Sequence, residues 1–191
     1  MSAYREPSEI QAAREVLEES IAKHGPVRGV QLAIADGESL GHLGRAMSLH
    51  ANKRVLFNVT IGSSPYYGHA LASAISMEDP GYVRWLSFRN AQKDHGTERV
   101  LEGTRPHHGD RILVVDAIAR ITGLRETCKS LRSTIPGIMV TGVMPLVAME
   151  RAGVQPQDRI ASELRKVCPS AAYRPLFALT PGSRLTYPGS N

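Results

Sequence analysis

From residue 55 onward the chain repeats one pattern: a short apolar, β-branched run, a break, then a stretch with helical spacing. VLFNVTI, residues 55–61, ends in Gly62-Ser63-Ser64-Pro65 and gives way to the small-residue stretch GHALASAIS. YVRWLSF precedes a long polar segment, and RILVVD runs through a loop into LRETCKSLRS, where Leu124, Cys128 and Leu131 mark one helix face. GIMVTGVMPLVAM supplies a further strand. Strands that alternate with helices need right-handed crossovers, so the fold expected is α/β, a mainly parallel sheet covered by helices on both faces.

Before this alternation the chain reads as helical. Ser8 with Gln11 three residues later forms a capping-box pattern, and Ile10, Ala13, Leu17 and Ile21 recur at helical spacing until Gly25-Pro26 stops the run. A second helical pattern starts near Asp36 and carries Leu40, Leu43 and Met47 on one face. The 191 residues therefore divide into an N-terminal helical segment, 1–35, a core, 36–168, and a tail, 169–191. Pro175, Pro181 and Pro188 make that tail read as extended and surface-hugging.

Composition narrows the class. With 42% hydrophobic and 21% charged residues the chain can build a core, which removes disordered and fibrous classes. The polar start MSAYREPSEIQ and the lack of any long apolar run suggest a soluble, cytoplasmic protein without a membrane partner. Cys128 and Cys168 are too far apart in sequence for a close-spaced metal pair and too few for a disulfide framework, so two reduced, buried thiols are expected. The net charge of +5 points to an anionic ligand. Nucleic acid is not the expected one, because the basic residues are scattered and only ten aromatics are present to stack bases.

In an open parallel sheet, ligands bind beyond the carboxyl ends of the strands, and three segments lie there. RILVVDAIARITGLRE ends a buried strand in Asp116 and then opens a helix through Thr122 and Gly123. Free N–H groups at a helix start favour phosphate, and an acid at the strand end can accept hydrogen bonds from sugar hydroxyls. An aspartate that merely caps the helix would look the same. RNAQKDHGTERVLEG, residues 89–103, combines Arg89, Lys93, Asp94 and His95 in a polar stretch suited to closing over a charged substrate. There Lys93 and His95 could neutralise a polyanionic leaving group, and His95 could move a proton near neutral pH. Ser63 to Gly68, with Tyr66 and Tyr67, could hold pyrophosphate on hydroxyls and backbone amides.

In this order the segments resemble the type I phosphoribosyltransferases, orotate phosphoribosyltransferase in particular, over roughly residues 36 to 153. RNAQKDHGTERVLEG is similar to that family's mobile-loop motif, Arg-Lys-Glu-x-Lys-Asp-His-Gly followed by a glycine. ILVVDAIARITG is similar to its phosphoribosyl-pyrophosphate motif, PYYGHALASAIS to its Ala-Tyr-Lys-Gly segment, and DGESLGHLGRAM to the helix before the core.

The resemblance implies a Rossmann-like sheet with a small N-terminal helical hood, and a donor, 5-phosphoribosyl 1-pyrophosphate (PRPP), used with Mg²⁺. It implies transfer of the ribosyl carbon to a ring nitrogen of a heterocyclic acceptor, with Lys93, His95 and Asp116 as catalytic residues. Arg89, Lys93 and His95 would sit on pyrophosphate, Asp116 and Ala117 at the ribose, and Arg120, Ile121, Thr122, Gly123 and Leu124 around the 5-phosphate. It also implies a homodimer in which the loop 89–103 reaches the neighbouring site. Which residues hold the metal is not implied.

The first departures bear on the ribose and its phosphates, and the two that follow bear on the acceptor and point away from orotate. Ala117 stands where the family has a second acid, Tyr67 and Asn90 replace two lysines, and Arg120 enters a phosphate loop one residue short. The stretch from Gly25 to Ala35 lacks the family's Lys-Ser-Gly-Arg-Lys-Ser-Pro, and its late arginine falls near Met149, with Arg151 the nearest substitute. The expectation is a phosphoribosyltransferase with a different acceptor. The alternatives are a catalytically degenerate protein that binds nucleotide or donor as a regulator or structural subunit, and an orotate enzyme.

Overall fold

The computed structural model describes residues 6–52, 55, 57–63, 66–88, 101–103, 105–149, 156–180 and 184–188. Helix α1, Ser8–His24, buries Ile10, Ala13, Leu17 and Ile21, the face its spacing predicts. The capping box does not form: Pro7 is the N-cap, the Ser8 hydroxyl donates to Glu9 at 3.1 Å, and the Gln11 amide donates to Glu15 at 2.9 Å. Gly25, at φ 80°, ends α1 with its N–H on the Ile21 carbonyl at 2.8 Å.

Pro26 then starts a helix as well as stopping one, because its missing N–H costs nothing at a first helical position. Helix α2, Pro26–Ala35, is the element that the Gly-Pro reading passes over. It lies so close to α1 that a Cβ on Gly29 would come within 2.6 Å of the Ile21 Cα, and Ser20 Oγ donates to the Gly29 carbonyl at 2.9 Å. Helix α3, Gly37–Asn52, starts on Asp36, whose carboxylate accepts the Ser39 N–H at 2.8 Å.

The sheet follows the predicted alternation. Its strands are β1 (Val59–Gly62), β2 (Arg84–Phe88), β3 (Leu101–Gly103), β4 (Arg111–Ile118), β5 (Met139–Met149), β6 (Ala172–Tyr173), β7 (Phe177–Thr180) and β8 (Arg184–Thr186). They are ordered β3-β2-β1-β4-β5-β7-β8, with β6 also beside β5. All pairings are parallel except the two edge pairs, β2 with β3 and β7 with β8. Helices α4 (Tyr67–Met77), α5 (Ile121–Thr134) and α6 (Pro156–Val167) complete the crossovers.

Strand β4 shows how the two faces are filled. Leu113, Val115 and Ala117 pack with residues of α1 to α4, while Ile112 and Val114 pack with Leu124, Cys128 and Leu131 of α5 and Leu164 of α6. A strand covered on both faces reads as a continuous apolar run, which RILVVD does.

The reading of 169–191 as a surface-hugging tail is corrected here. Residues 172–186 supply three strands, and Phe177 is fully buried with Leu176, Leu179 and Leu185 in the core on the α1 to α4 side. Tyr187 reaches back to α3, its hydroxyl 3.0 Å from His50 Nδ1 and the rings edge to face at 5.4 Å. Pro175 lies between β6 and β7, so it bounds a strand and does not interrupt one.

At the amino ends of the central strands, Asp110 gathers three donors. Its carboxylate accepts Asn58 Nδ2 at 2.8 Å, Arg84 Nη2 at 2.7 Å and the His107 N–H at 2.6 Å. Asn58 Oδ1 in turn accepts the Arg111 N–H at 2.8 Å, so β1, β2 and β4 are tied at one end. Burial pushes the Asp110 carboxyl upward, but the His107 N–H, the Asn58 amide and the Arg84 guanidinium outweigh it and hold the group below its ordinary value. A depressed folded-state pKa gives stability that is present above the unfolded value near 4 and lost as pH falls through the folded value. Asp110→Ala is expected to cost about 3 kcal/mol in urea unfolding at neutral pH, and the difference from the parent should shrink toward about pH 2.

Candidate active site

The carboxyl ends of β1 and β4 are adjacent, Gly62 pairing with Val115, and the loops that leave them build a cleft. The β1 exit is tight. A Cβ on Gly62 would overlap the Gly68 carbonyl carbon and the His69 nitrogen, so only glycine lets the first turn of α4 close on the strand. Ser63 follows, its N–H on the Val115 carbonyl at 2.8 Å and its Oγ donating to Asp116 Oδ2 at 2.5 Å. Asp116 Oδ1 accepts the Ala117 N–H at 2.7 Å. The acid is thus held across the ends of two strands and is 8% exposed.

Asp116 does not cap α5. The N-cap is Arg120, in extended conformation, and no side chain caps the helix. The N–H groups of Ile121, Thr122 and Gly123 begin α5 and, by helix geometry, have no intrahelical acceptor, whereas the Leu124 N–H is taken by the Arg120 carbonyl at 3.1 Å. Space beside Gly123 is open, with nothing within 4 Å of where a Cβ would be. An anion can approach these amides, where the helix dipole also favours negative charge.

A cleft of about 130 Å³ is lined by Tyr67, Asp116, Ala117, Ile118 and Arg120, with Gln31 entering from α2. That volume suits a single ring or sugar, being close to the roughly 150 Å³ of an engineered cavity that takes benzene. Of the sequence candidates, the structure brings Tyr67, Asp116, Ala117 and Arg120 into this cleft and puts the amides of Ile121, Thr122 and Gly123 at the start of α5. The Ile121 side chain packs against the core, and Leu124 is fully buried in it. Tyr66 is 80% exposed and does not line the cleft. The Ser63 hydroxyl, a candidate for pyrophosphate, is bonded to Asp116. Arg89, Asn90, Lys93, Asp94, His95 and Arg151 lie outside the described residues.

Sequence reasoning misses two cleft residues, Ile118 at the end of β4 and Gln31 of α2. Its helix could have been found from Val30, Ala33 and Ile34, whose spacing is helical. Among the described residues no group of three or more His, Cys, Asp or Glu side chains could hold a metal, and the cleft presents one carboxylate. One carboxylate does not cage Mg²⁺ on protein groups alone; the ion is ordinarily held by one or two carboxylates together with substrate phosphates. Nor is any helix among them long and apolar enough to cross a membrane.

No family model matches the sequence, and neither does any curated protein. Solved structures do match. Orotate phosphoribosyltransferase of Mycobacterium tuberculosis H37Rv, in complex with inorganic phosphate, superposes with a TM-score of 0.66 at 21% identity over 92% of this chain and 90% of that one. In complex with 5-phospho-α-D-ribosyl 1-diphosphate it gives 0.64 at 19% identity over 92% and 91%. UMP synthase of Leishmania donovani gives 0.65 at 18% identity over 91% of this chain, which spans 37% of that one.

The fold is that of the type I phosphoribosyltransferases. Within that class the chain resembles orotate phosphoribosyltransferase, and at 18–21% identity the likeness fixes the architecture and leaves the acceptor open. The β1 exit offers a direct test. Gly62→Ala sets a methyl against backbone that cannot yield, and is expected to cost about 3 kcal/mol or more by thermal or urea unfolding.

Proposed function

We propose that the protein is a phosphoribosyltransferase that moves 5-phosphoribosyl from PRPP to a ring nitrogen of a heterocycle other than orotate, releasing pyrophosphate. The observation that carries this reading is one juxtaposition: an aspartate fixed by Ser63 at the end of β4, beside the uncapped first turn of α5. Asp116 faces the ribose hydroxyls, and the amides of Ile121, Thr122 and Gly123 take the 5-phosphate, with the Arg120 guanidinium as a second, bidentate partner. In the reaction the C1–O bond breaks and its electron pair leaves with pyrophosphate. The acceptor nitrogen supplies the pair for the new C1–N bond and loses its proton to the imidazole of His95. Positive charge grows on the sugar and negative charge on the leaving group. Arg89 and Lys93, from the part of the loop 89–103 that precedes strand β3, offset the latter.

In this reading Asp94 belongs to the same loop, Tyr67 lines the acceptor end with Gln31, and a homodimer lets the loop serve the neighbouring site. Mg²⁺ would accompany the diphosphate, and no residue of the cleft is assigned to hold it. The PRPP complex of the M. tuberculosis enzyme supports the donor. Met149 where the family's late arginine falls, and a Gly25–Ala35 stretch without its Lys-Ser-Gly-Arg-Lys-Ser-Pro, favour an acceptor without orotate's carboxylate.

A second reading is favoured by Ala117 itself. Its side chain packs in the apolar cluster with Leu113 and Val115, which leaves the strand end one carboxylate. On that reading the protein binds the donor without turning it over.

Calorimetry with PRPP and Mg²⁺, paired with a pyrophosphate-release assay over pyrimidine, purine, pyrrole and imidazole acceptors including orotate, separates the cases. The proposal expects donor binding and release with an acceptor other than orotate, and Arg120→Ala should weaken donor binding about tenfold or more, roughly 1.5–3 kcal/mol. Binding without release favours the second reading. No donor binding at millimolar concentration contradicts both.

A further inference from the structure

The two cysteines are free, buried, and members of one core cluster between α5, α6 and the sheet. Cys128 lies four residues beyond Leu124 on the buried face of α5, and Cys168 is the residue that ends α6, its N–H on the Leu164 carbonyl at 2.7 Å and its own carbonyl accepting the Ala171 N–H at 3.0 Å. Forty residues of sequence separate them, yet the fold packs both into this one cluster, where each thiol shifts the other's proton affinity.

Their surroundings differ. Cys128 is sealed at 0% exposure, and Cys168, itself only 2% exposed, forms part of the wall of a surface recess of about 220 Å³ with Arg132, Met139, Pro169 and Ser170. Arg132 donates to the carbonyl of Val167, the residue before Cys168, so a guanidinium is clamped at the mouth of this recess. The Cys128 thiol beside it, and then the Arg132 charge, hold the Cys168 thiol below its ordinary value. The neighbouring Cys168 thiol, and then burial, push Cys128 upward.

We propose that Cys168 and Cys128 form an oxidation site: a nucleophilic thiol at a small-molecule recess and a resolving thiol behind it, closing a reversible disulfide that staples α5 to the end of α6. The oxidant class is a small hydroperoxide. The Cys168 thiolate attacks one peroxide oxygen, the O–O bond breaks and hydroxide leaves, giving a sulfenic acid. Cys128 sulfur then attacks Cys168 Sγ, the S–O bond breaks, and the two thiol protons and both peroxide oxygens end as two waters. A dithiol reverses the step by exchange, leaving as its own cyclic disulfide. The inference stands on α5, α6 and the recess, and does not depend on the transferase reading.

The test is intact-mass and peptide-mapping mass spectrometry of the native protein after hydrogen peroxide, before and after dithiothreitol. The expected product is a monomer lighter by two hydrogens, with a Cys128–Cys168 cross-linked peptide, no alkylatable thiol and full reversal by the dithiol. Its melting temperature should exceed that of the reduced form by about 5–10 °C, since the bond closes a long loop. Cys128→Ala, with its fold checked by circular dichroism, should leave Cys168 to collect oxygen instead. The proposal is overturned if the wild-type thiols stay unreacted until the protein unfolds, if Cys168 gains two or more oxygens while Cys128 remains free, or if the disulfide joins two chains. The wild-type mass decides the outcome, so the test stands even where a variant fails to fold.

Discussion

The parallel pairing of β1 with β4 is the constraint on which the rest depends. It sets Gly62, the last residue of β1, opposite Val115, so Ser63 and Asp116 meet across 53 residues of sequence. The close approach of α4 at Gly62 fixes one wall of the cleft, and the turn from Ile118 into α5 fixes the other. At the opposite edge of the same strands, Asp110 binds Asn58 and Arg84 and holds the register from below. The aspartates at the two ends of β4 thus differ in role, the lower one joining strands and the upper one held ready at a cleft.

That division explains how much is legible in the sequence. RILVVD followed by a helical stretch announces a buried parallel strand with an acid at its carboxyl end, and the structure has β4 there, running two residues further to Ile118. The apolar faces of α1, α3 and α5 are equally readable, because helical spacing is a local property. What Asp116 bonds to is not, since Ser63 is brought to it by topology alone. Local punctuation also misleads. Gly25-Pro26 both ends α1 and starts α2, and hiding α2 hides Gln31.

The tail misleads for a different reason. β6, β7 and β8 have two, four and three residues, too few for period-two alternation to stand out among prolines. Their place comes from the outer side of β5, whose length lets β6 and β7 pair with successive parts of it, and from the space that Phe177 and Tyr187 fill against α3. Ser8 and Gln11 show the converse failure: a capping pattern with suitable spacing loses to nearer carboxylates, Glu9 and Glu15.

Backbone amide spectra report directly on whether an anionic sugar phosphate sits on the first turn of α5 beside Asp116. In a ¹H–¹⁵N titration with PRPP and Mg²⁺, the largest shifts are expected at Ile121, Thr122 and Gly123, with smaller ones at Ser63 and Asp116. Inorganic phosphate alone should move the α5 amides and leave Asp116 nearly still. Shifts confined to another surface, or none at those three amides, would contradict that placement of the phosphate.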